Sequence, residues 1–206
     1  MVKRNDHVVM VLDDDTAILG GLNRLLTLHG YQVCLYSAAA DFFAAGMPEI
    51  PACLILDNHL GDGMTGLEIH AEMQRIGWDI PTVFLTAHWN VQSVVNAMRA
   101  GADGFLTKPF DPAQLLDEVA KALERAHARQ QDGEQATAAR AKAALLTERE
   151  REVVSLVVRG LLNKEIADQL DLALVTVKVH RGRAMQKLGA GNPAELARIA
   201  SLAGLQ

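Results

Sequence analysis

Four short stretches of the sequence end on groups that handle phosphate or cations. Residues 7–13, "HVVMVLD", end on Asp13 and run on into Asp14 and Asp15. Residues 52–57, "ACLILD", end on Asp57. Residues 82–87, "TVFLTA", carry Thr86, and residues 104–108, "GFLTK", end on Lys108. Each stretch reads as a β-strand. In an open parallel sheet, functional groups gather outside the carboxyl ends of the strands. Neighbouring strands lie about 4.8 Å apart, so these ends can meet in one pocket. Several carboxylates there repel one another unless a cation sits among them, and hard oxygen ligands suit Mg²⁺. Lys108 adds a positive charge and Thr86 a hydroxyl. Such a set is suited to stabilising charge on a phosphoryl group. Taken alone, Asp13 and Asp14 have helix N-caps as a rival reading.

The elements that must position these groups are legible in the first 125 residues. A fifth β-rich stretch, residues 31–37, joins the other four. Several strands are apolar on consecutive positions, as expected when both faces of a parallel sheet are covered. Between them, apolar residues recur at helical spacing, including residues 91–101. Gly30, Gly77 and Gly101 each stand at an expected helix end. A further helix begins with Asp111 as N-cap and Pro112 at its first position. This alternation predicts a doubly wound α/β domain with a five-stranded parallel sheet. Half of the 206 residues are hydrophobic and 22% are charged, as in globular chains. No apolar run approaches the roughly 20 residues that span a bilayer, and the start is a poor secretory signal, so a cytoplasmic location is expected. Cys34 and Cys53 lack metal-ligand spacing and are expected as buried, reduced thiols.

Net charge divides the chain. Residues 1–125 hold 8 Lys and Arg against 16 Asp and Glu, whereas residues 144–206 hold 9 against 7. An acidic front and a mildly basic back suggest modules with different partners. Residues 126–143, rich in Ala, Gln and charge, read as a linker, either partly helical and interrupted near Gly133 or extending the preceding helix as a rigid arm. From there the period is helical throughout. Thr147 and Glu150 form a capping box; Asn163 is a cap for a short second helix; Gly189 closes a third. Asn192 and Pro193 open a fourth. Four helices in about 60 residues predict a small all-α domain of helix-turn-helix type.

The set Asp13, Asp14, Asp57, Thr86 and Lys108-Pro109-Phe110, in this order over about 120 residues, resembles the receiver domain of two-component response regulators, a CheY-like fold. The resemblance implies that Asp57 takes a phosphoryl group from a histidine kinase. It implies Mg²⁺ held by Asp13, Asp14, Asp57 and the backbone carbonyl of His59. Asp15 would start the following loop. Lys108 would contact the phosphoryl group, Thr86 would turn inward to bond it, and Phe105 would follow as the conformational switch. The Lys108-Pro109 bond would be cis. His59 and His88 stand where the family tunes the lifetime of the acyl phosphate.

One stretch departs from the family. After the acceptor the pattern usually runs Asp-x-x-Met/Leu-Pro-x-x-x-Gly. Here Gly61 replaces the proline and Gly66 comes one residue late. The loop is longer and freer, which raises the entropy cost of ordering it. A calcium loop from Asp57 to Glu68 is the rival reading. It fails at His59, Gly61 and Asp62, where an EF-hand wants oxygen side chains and a glycine. Asp62 is expected as a solvated turn residue.

Residues 145–205 resemble the LuxR-type helix-turn-helix of FixJ/NarL regulators, through Glu148, Glu152, Gly160, residues 163–167 and residues 176–180. The resemblance implies a recognition helix over about residues 174–188 in the DNA major groove. Lys178 and Val179 sit where the family reaches bases. Lys164, Thr176, Arg181 and Arg183 are candidate phosphate contacts, while Val177, Met185 and Leu188 face the core. Ala173 replaces the usual capping serine, and Gly182 removes a side chain that often contacts DNA. Each costs about 1 kcal/mol. The expectation is a transcription regulator, not a classical enzyme, whose Mg²⁺-dependent phosphorylation controls dimerisation and binding to double-stranded promoter DNA. Two rivals remain: a regulator controlled by protein partners without phosphorylation, and a phosphotransfer enzyme with a helical accessory domain.

Overall fold

Apolar side chains that alternate across a strand must find cover on both faces of a sheet. The computed structural model describes residues 7–61, 63–87 and 101–205, and shows how that cover is supplied. Strands β1 (Val8–Leu12), β2 (Gln32–Tyr36), β3 (Ala52–Asp57), β4 (Thr82–Thr86) and β5 (Gly104–Thr107) form one sheet in the order β2-β1-β3-β4-β5. Every neighbouring pair is parallel. Met10, Leu12, Leu54, Leu56 and Phe84 point to one face. They pack with Phe42 of helix α2 (Ala39–Ala45) and with Ile69 and Met73 of α3 (Gly66–Arg75). Val9, Val11, Cys53, Ile55, Val83 and Leu85 point to the other. They pack with Leu19, Leu22 and Leu26 of α1 (Thr16–Leu28) and with Leu115, Val119 and Ala122 of α4 (Pro112–Ala144). Each such side chain contributes roughly 1.5–3 kcal/mol on burial. The expected helix over residues 91–101 lies almost wholly outside the described residues, as do His88 and Asp62.

Two compact units divide the chain, Met1–Arg129 and Gln130–Gln206. The second holds α5 (Glu148–Val158), α6 (Asn163–Leu170), α7 (Leu174–Leu188) and α8 (Pro193–Leu202). Ala139 and Ala143, from the last turns of α4, join its core with Val154, Ala184, Leu188, Leu196 and Ile199. A smaller cluster of Val153, Leu156, Ile166, Ala167 and Val177 seats α6. Of the two readings of residues 126–143, the interruption at Gly133 does not occur and the extension does: α4 is one helix through that residue. A single glycine costs about 1 kcal/mol in a helix interior, which an alanine-rich helix packed at both ends outweighs.

Three further expectations are corrected. Asn163 does not cap α6. The N-cap is Leu162, whose backbone N–H donates to Glu165 Oε2 (2.6 Å). Asn163 instead accepts from Arg181 Nη1 of α7 (2.7 Å), tying the two helices together. Asp15 does more than start a loop: it caps α1, its Oδ1 accepting from Ala17 N (2.8 Å) and Ile18 N (3.4 Å). Cys53 is buried as expected and burial pushes its thiol pKa up, but Cys34 is exposed on the edge strand β2.

Glu150 is the buried charge of the second unit, with 2% of its surface exposed. Its Oε2 closes the capping box on Thr147 N (2.8 Å) and also accepts from Lys187 Nζ of α7 (2.6 Å). Burial alone would raise its pKa, yet the bonds from Lys187 and Thr147 outweigh it and hold the carboxyl below its usual value. A depressed acid contributes stability above its unfolded pKa of about 4.3, and that contribution is lost as pH falls through the folded value. Lys187→Met should therefore destabilise the second unit by about 1–2 kcal/mol near neutral pH. The gap from wild type should narrow below about pH 4, in urea melts monitored by circular dichroism.

Candidate functional site

Parallel register sets the ends of β1 and β3 level, with Leu12 opposite Leu56. The next residue on β1 is Asp13, and β3 ends on Asp57. Both acids are buried, with 1% and 8% of their surface exposed. Asp14 is exposed beside them. Carboxylate oxygens of Asp13, Asp14 and Asp57 all lie within 4.8 Å of one another. Lys108, just past β5, reaches across: its Nζ donates to Asp13 Oδ2 (2.7 Å) and Asp57 Oδ2 (3.1 Å). Its own backbone N–H donates to Thr86 O (2.7 Å), which holds the end of β5 to β4. Thr86 is buried at the end of β4, and Phe105 of β5 packs half-buried against the Leu56 and Phe84 face. The Lys108-Pro109 bond is cis.

The electrostatics show strain. Burial raises the pKa of Asp13, even though bonds from Lys108 and from Asp15 N lower it. Burial would also lower that of Lys108, but its bonds to Asp13 and Asp57 prevail and raise it. One ammonium, bonded to Asp13 and Asp57, therefore faces a cluster of three carboxylates. Such a cluster has room for further positive charge, and its all-oxygen donors suit a hard divalent cation.

The loop after Asp57 is pinned in spite of its extra residue. Gly66 N–H donates to Asn58 O (3.1 Å), and Gly63 N–H closes a turn on Leu60 O (3.1 Å). A Cβ on Gly66 would lie 2.5 Å from Asp57 O and 2.9 Å from Asn58 Cα, so only glycine allows α3 to start this close to the acceptor strand. Gly61, at φ 55°, turns the chain where proline is usual. Thr65 caps α3, donating its N–H to Glu68 Oε2 (2.7 Å) and accepting from Glu68 N (3.3 Å). That engagement of Glu68 removes the last ligand a calcium loop would need.

In the second unit, α7 begins at a turn where Asp171 takes a left-handed conformation, φ 52°. Val177, Ala184 and Leu188 are its buried residues. Lys164, Lys178, Val179 and Arg183 are exposed, while Thr176 and Arg181 are half-buried. Ala173 makes no side-chain cap bond, and open space surrounds Gly182.

Comparison with known proteins names both units. The response regulator receiver domain family matches residues 9–120, and the luxR family of bacterial regulatory proteins matches residues 144–200. The chain belongs to the FixJ-like response regulators. It is 37% identical to nodulation protein W of Bradyrhizobium diazoefficiens, over 96% of this chain and 87% of that protein. It is 38% identical to the transcriptional regulatory protein FixJ of Azorhizobium caulinodans, over 96% and 93% of the two chains. The solved response regulator StyR is 39% identical, with a TM-score of 0.79, over 95% of this chain and 98% of that one.

For a response regulator, the receiver family implies a histidine kinase as partner and the luxR family implies DNA binding. No described helix is long and apolar enough to cross a membrane. The structure brings Asp13, Asp14, Asp57 and Lys108 together, with Thr86 at the next strand end. Sequence reasoning missed an ionic clamp at the opposite end of the receiver. Arg125 and Arg129 of α4 bond Asp103 (3.4 and 3.2 Å), and Arg129 also bonds Asp79 (2.7 Å). The four-residue spacing of the two arginines was the available signal.

Asp13 also makes the cost of the cluster measurable. With its pKa raised, Asp13 takes up a proton more readily in the folded receiver than in the unfolded chain, so this group favours folding most below its unfolded pKa of about 3.9 and loses that contribution as pH rises. Asp13→Asn, which keeps the neutral form, should raise the melting temperature of the metal-free protein at pH 7, with less gain near pH 4. Millimolar Mg²⁺ should raise the melting temperature of wild type and not of the variant.

Proposed function

We propose that Asp57 is the phosphoacceptor and that its phosphorylation by a histidine kinase controls dimerisation and DNA binding by the luxR-family unit. The observation that carries this reading is the Lys108 ammonium bound to both Asp13 and Asp57 beside Asp14. A carboxylate attacking a phosphoryl donor meets like-charge repulsion, which is why the acceptor must sit beside fixed positive charge. Asp13, Asp14, Asp57 and the backbone carbonyl of His59 would hold Mg²⁺. The ion would supply charge neutralisation at the transferring oxygens.

The chain's own groups do the rest. An Asp57 oxygen forms the new bond to phosphorus as the bond to the donor's nitrogen breaks. Lys108 then exchanges its Asp57 contact for a phosphoryl oxygen. Thr86 turns its hydroxyl toward that oxygen, and Phe105 moves inward into the space released, remodelling the β5 edge. Ala87, being small, leaves the entry open. Dimerisation follows from that edge, since one small helix-turn-helix unit offers a limited DNA interface and pairing on two half-sites multiplies it. Lys164, Thr176, Arg181 and Arg183 would contact phosphates, and Lys178 and Val179 base edges. Arg181 gives its Nη1 to Asn163, so its other nitrogens would serve DNA. Residues 126–143 would act as a helical connector, in keeping with the unbroken α4.

Mg²⁺-dependent labelling by acetyl phosphate should be complete in wild type and absent in Asp57→Ala. Size exclusion should shift toward a dimer on labelling, in wild type alone. A wild-type protein that takes no label yet binds DNA unchanged would overturn phosphorylation control and favour regulation by protein partners.

A further inference from the structure

Helix α7 has an outward face of unusual character. At 3.6 residues per turn, Val175, Val179, Gly182 and Gln186 form one stripe. It lies opposite the buried Val177, Ala184 and Leu188. All four stripe residues are exposed. Val175 leaves 67% of its surface in solvent and Val179 leaves 44%. An exposed helix face ordinarily carries long polar side chains, and β-branched valine is the poorer helix former. Nothing lies within 4 Å of a Cβ placed on Gly182, so neither packing nor space requires glycine there. Charge is distributed to match. The stripe itself has none, while Lys178 flanks it on one side and Arg183 on the other, both exposed. A duplex presents the complementary pattern: phosphates at the two rims of the major groove and base edges between them.

We infer that this helix reads A·T pairs through their thymine methyl groups. Val175 and Val179 supply apolar contacts to the C5-methyls, the chemistry by which an apolar side chain distinguishes thymine in the major groove. Gln186 presents an amide able to bond adenine N6 and N7. Gly182 carries no side chain to hold the helix off the groove floor, which lets two short valines reach base edges. Arg183 engages the flanking phosphates, and Lys178, on the other side of the stripe, reaches base edges beside Val179. The inference rests on the reading of this unit as DNA-binding.

The test starts with the full chain, Mg²⁺ and acetyl phosphate, selecting duplexes from a random-sequence library. Each thymine of the selected site is then replaced singly by deoxyuridine, which removes only the methyl group. Affinity is measured by fluorescence anisotropy at fixed salt. One or two replacements should weaken binding about four-fold each, the value of one buried methyl group. Val175→Ala and Val179→Ala should each abolish the sensitivity at one of these positions. Both variants should keep the wild-type slope of log affinity against log salt, because no phosphate contact is lost. Alanine is the better helix former, and unchanged circular dichroism melts will show that both variants fold. A site insensitive at every thymine overturns the inference with DNA binding intact. So does sensitivity that persists in both variants, or a selected site without thymine. Selection of no duplex at all overturns the DNA-binding reading itself, and the methyl readout with it.

Discussion

Everything in the receiver is arranged around the repulsion among three carboxylates held within 4.8 Å. Left to itself, the chain would separate Asp13, Asp14 and Asp57. The parallel register of β1 on β3 forbids that, because the two strands lie side by side and end level. Lys108 relieves the repulsion only in part, through bonds of 2.7 and 3.1 Å. Burial, with a smaller contribution from the neighbouring Asp57 carboxylate, raises the pKa of Asp13 in spite of those bonds. A sheet covered on both faces has stability enough to hold such a cluster, since its core draws on α1, α2, α3 and α4 together. Electrostatic strain is thus stored where a cation would relieve it.

The same constraint explains the loop after Asp57. A segment beside a strained cluster must not drift, and here it is held at two points rather than stiffened by proline. Gly66 brings the start of α3 against the backbone of Asp57, and the Thr65–Glu68 capping box fixes the helix entry. Upstream of those points, Gly63 N–H bonds Leu60 O (3.1 Å), closing a turn. Gly61, free to adopt a positive φ, makes that turn without the ring.

The fold was legible because its signals are local. Consecutive apolar residues, glycines at helix ends and the Asp111-Pro112 start all report on nearby backbone, and the strands fall within a residue of their expected limits. The acidic cluster was legible for a different reason: strand ends converge in any parallel sheet, so position along the chain sufficed. What escaped depends on partners distant in sequence or on competing local bonds. Asp15 was not separable from Asp13 and Asp14 until its bonds to Ala17 and Ile18 marked it as the cap. Asn163 looks like a cap by type, but Arg181, 18 residues on, claims its oxygen. Cys34 differs from Cys53 only in that β2 is an edge strand, a fact of topology.

Topology also decides how to view the two apparent flaws of α7. Ala173 cannot cap, and Gly182 weakens the interior, together about 2 kcal/mol against the helix. Short isolated helices depend on such local contributions, but helices in proteins are held by packing. Val177 and Leu188 are fully buried, and burial of each contributes roughly 1.5–3 kcal/mol. Lys187 is bonded to Glu150 of α5 and Arg181 to Asn163 of α6, so the helix is fixed along its inner side to two neighbours. With orientation secured from within, the outer side is released from any duty to stability. A glycine and two exposed valines are tolerable there because the fold does not depend on them.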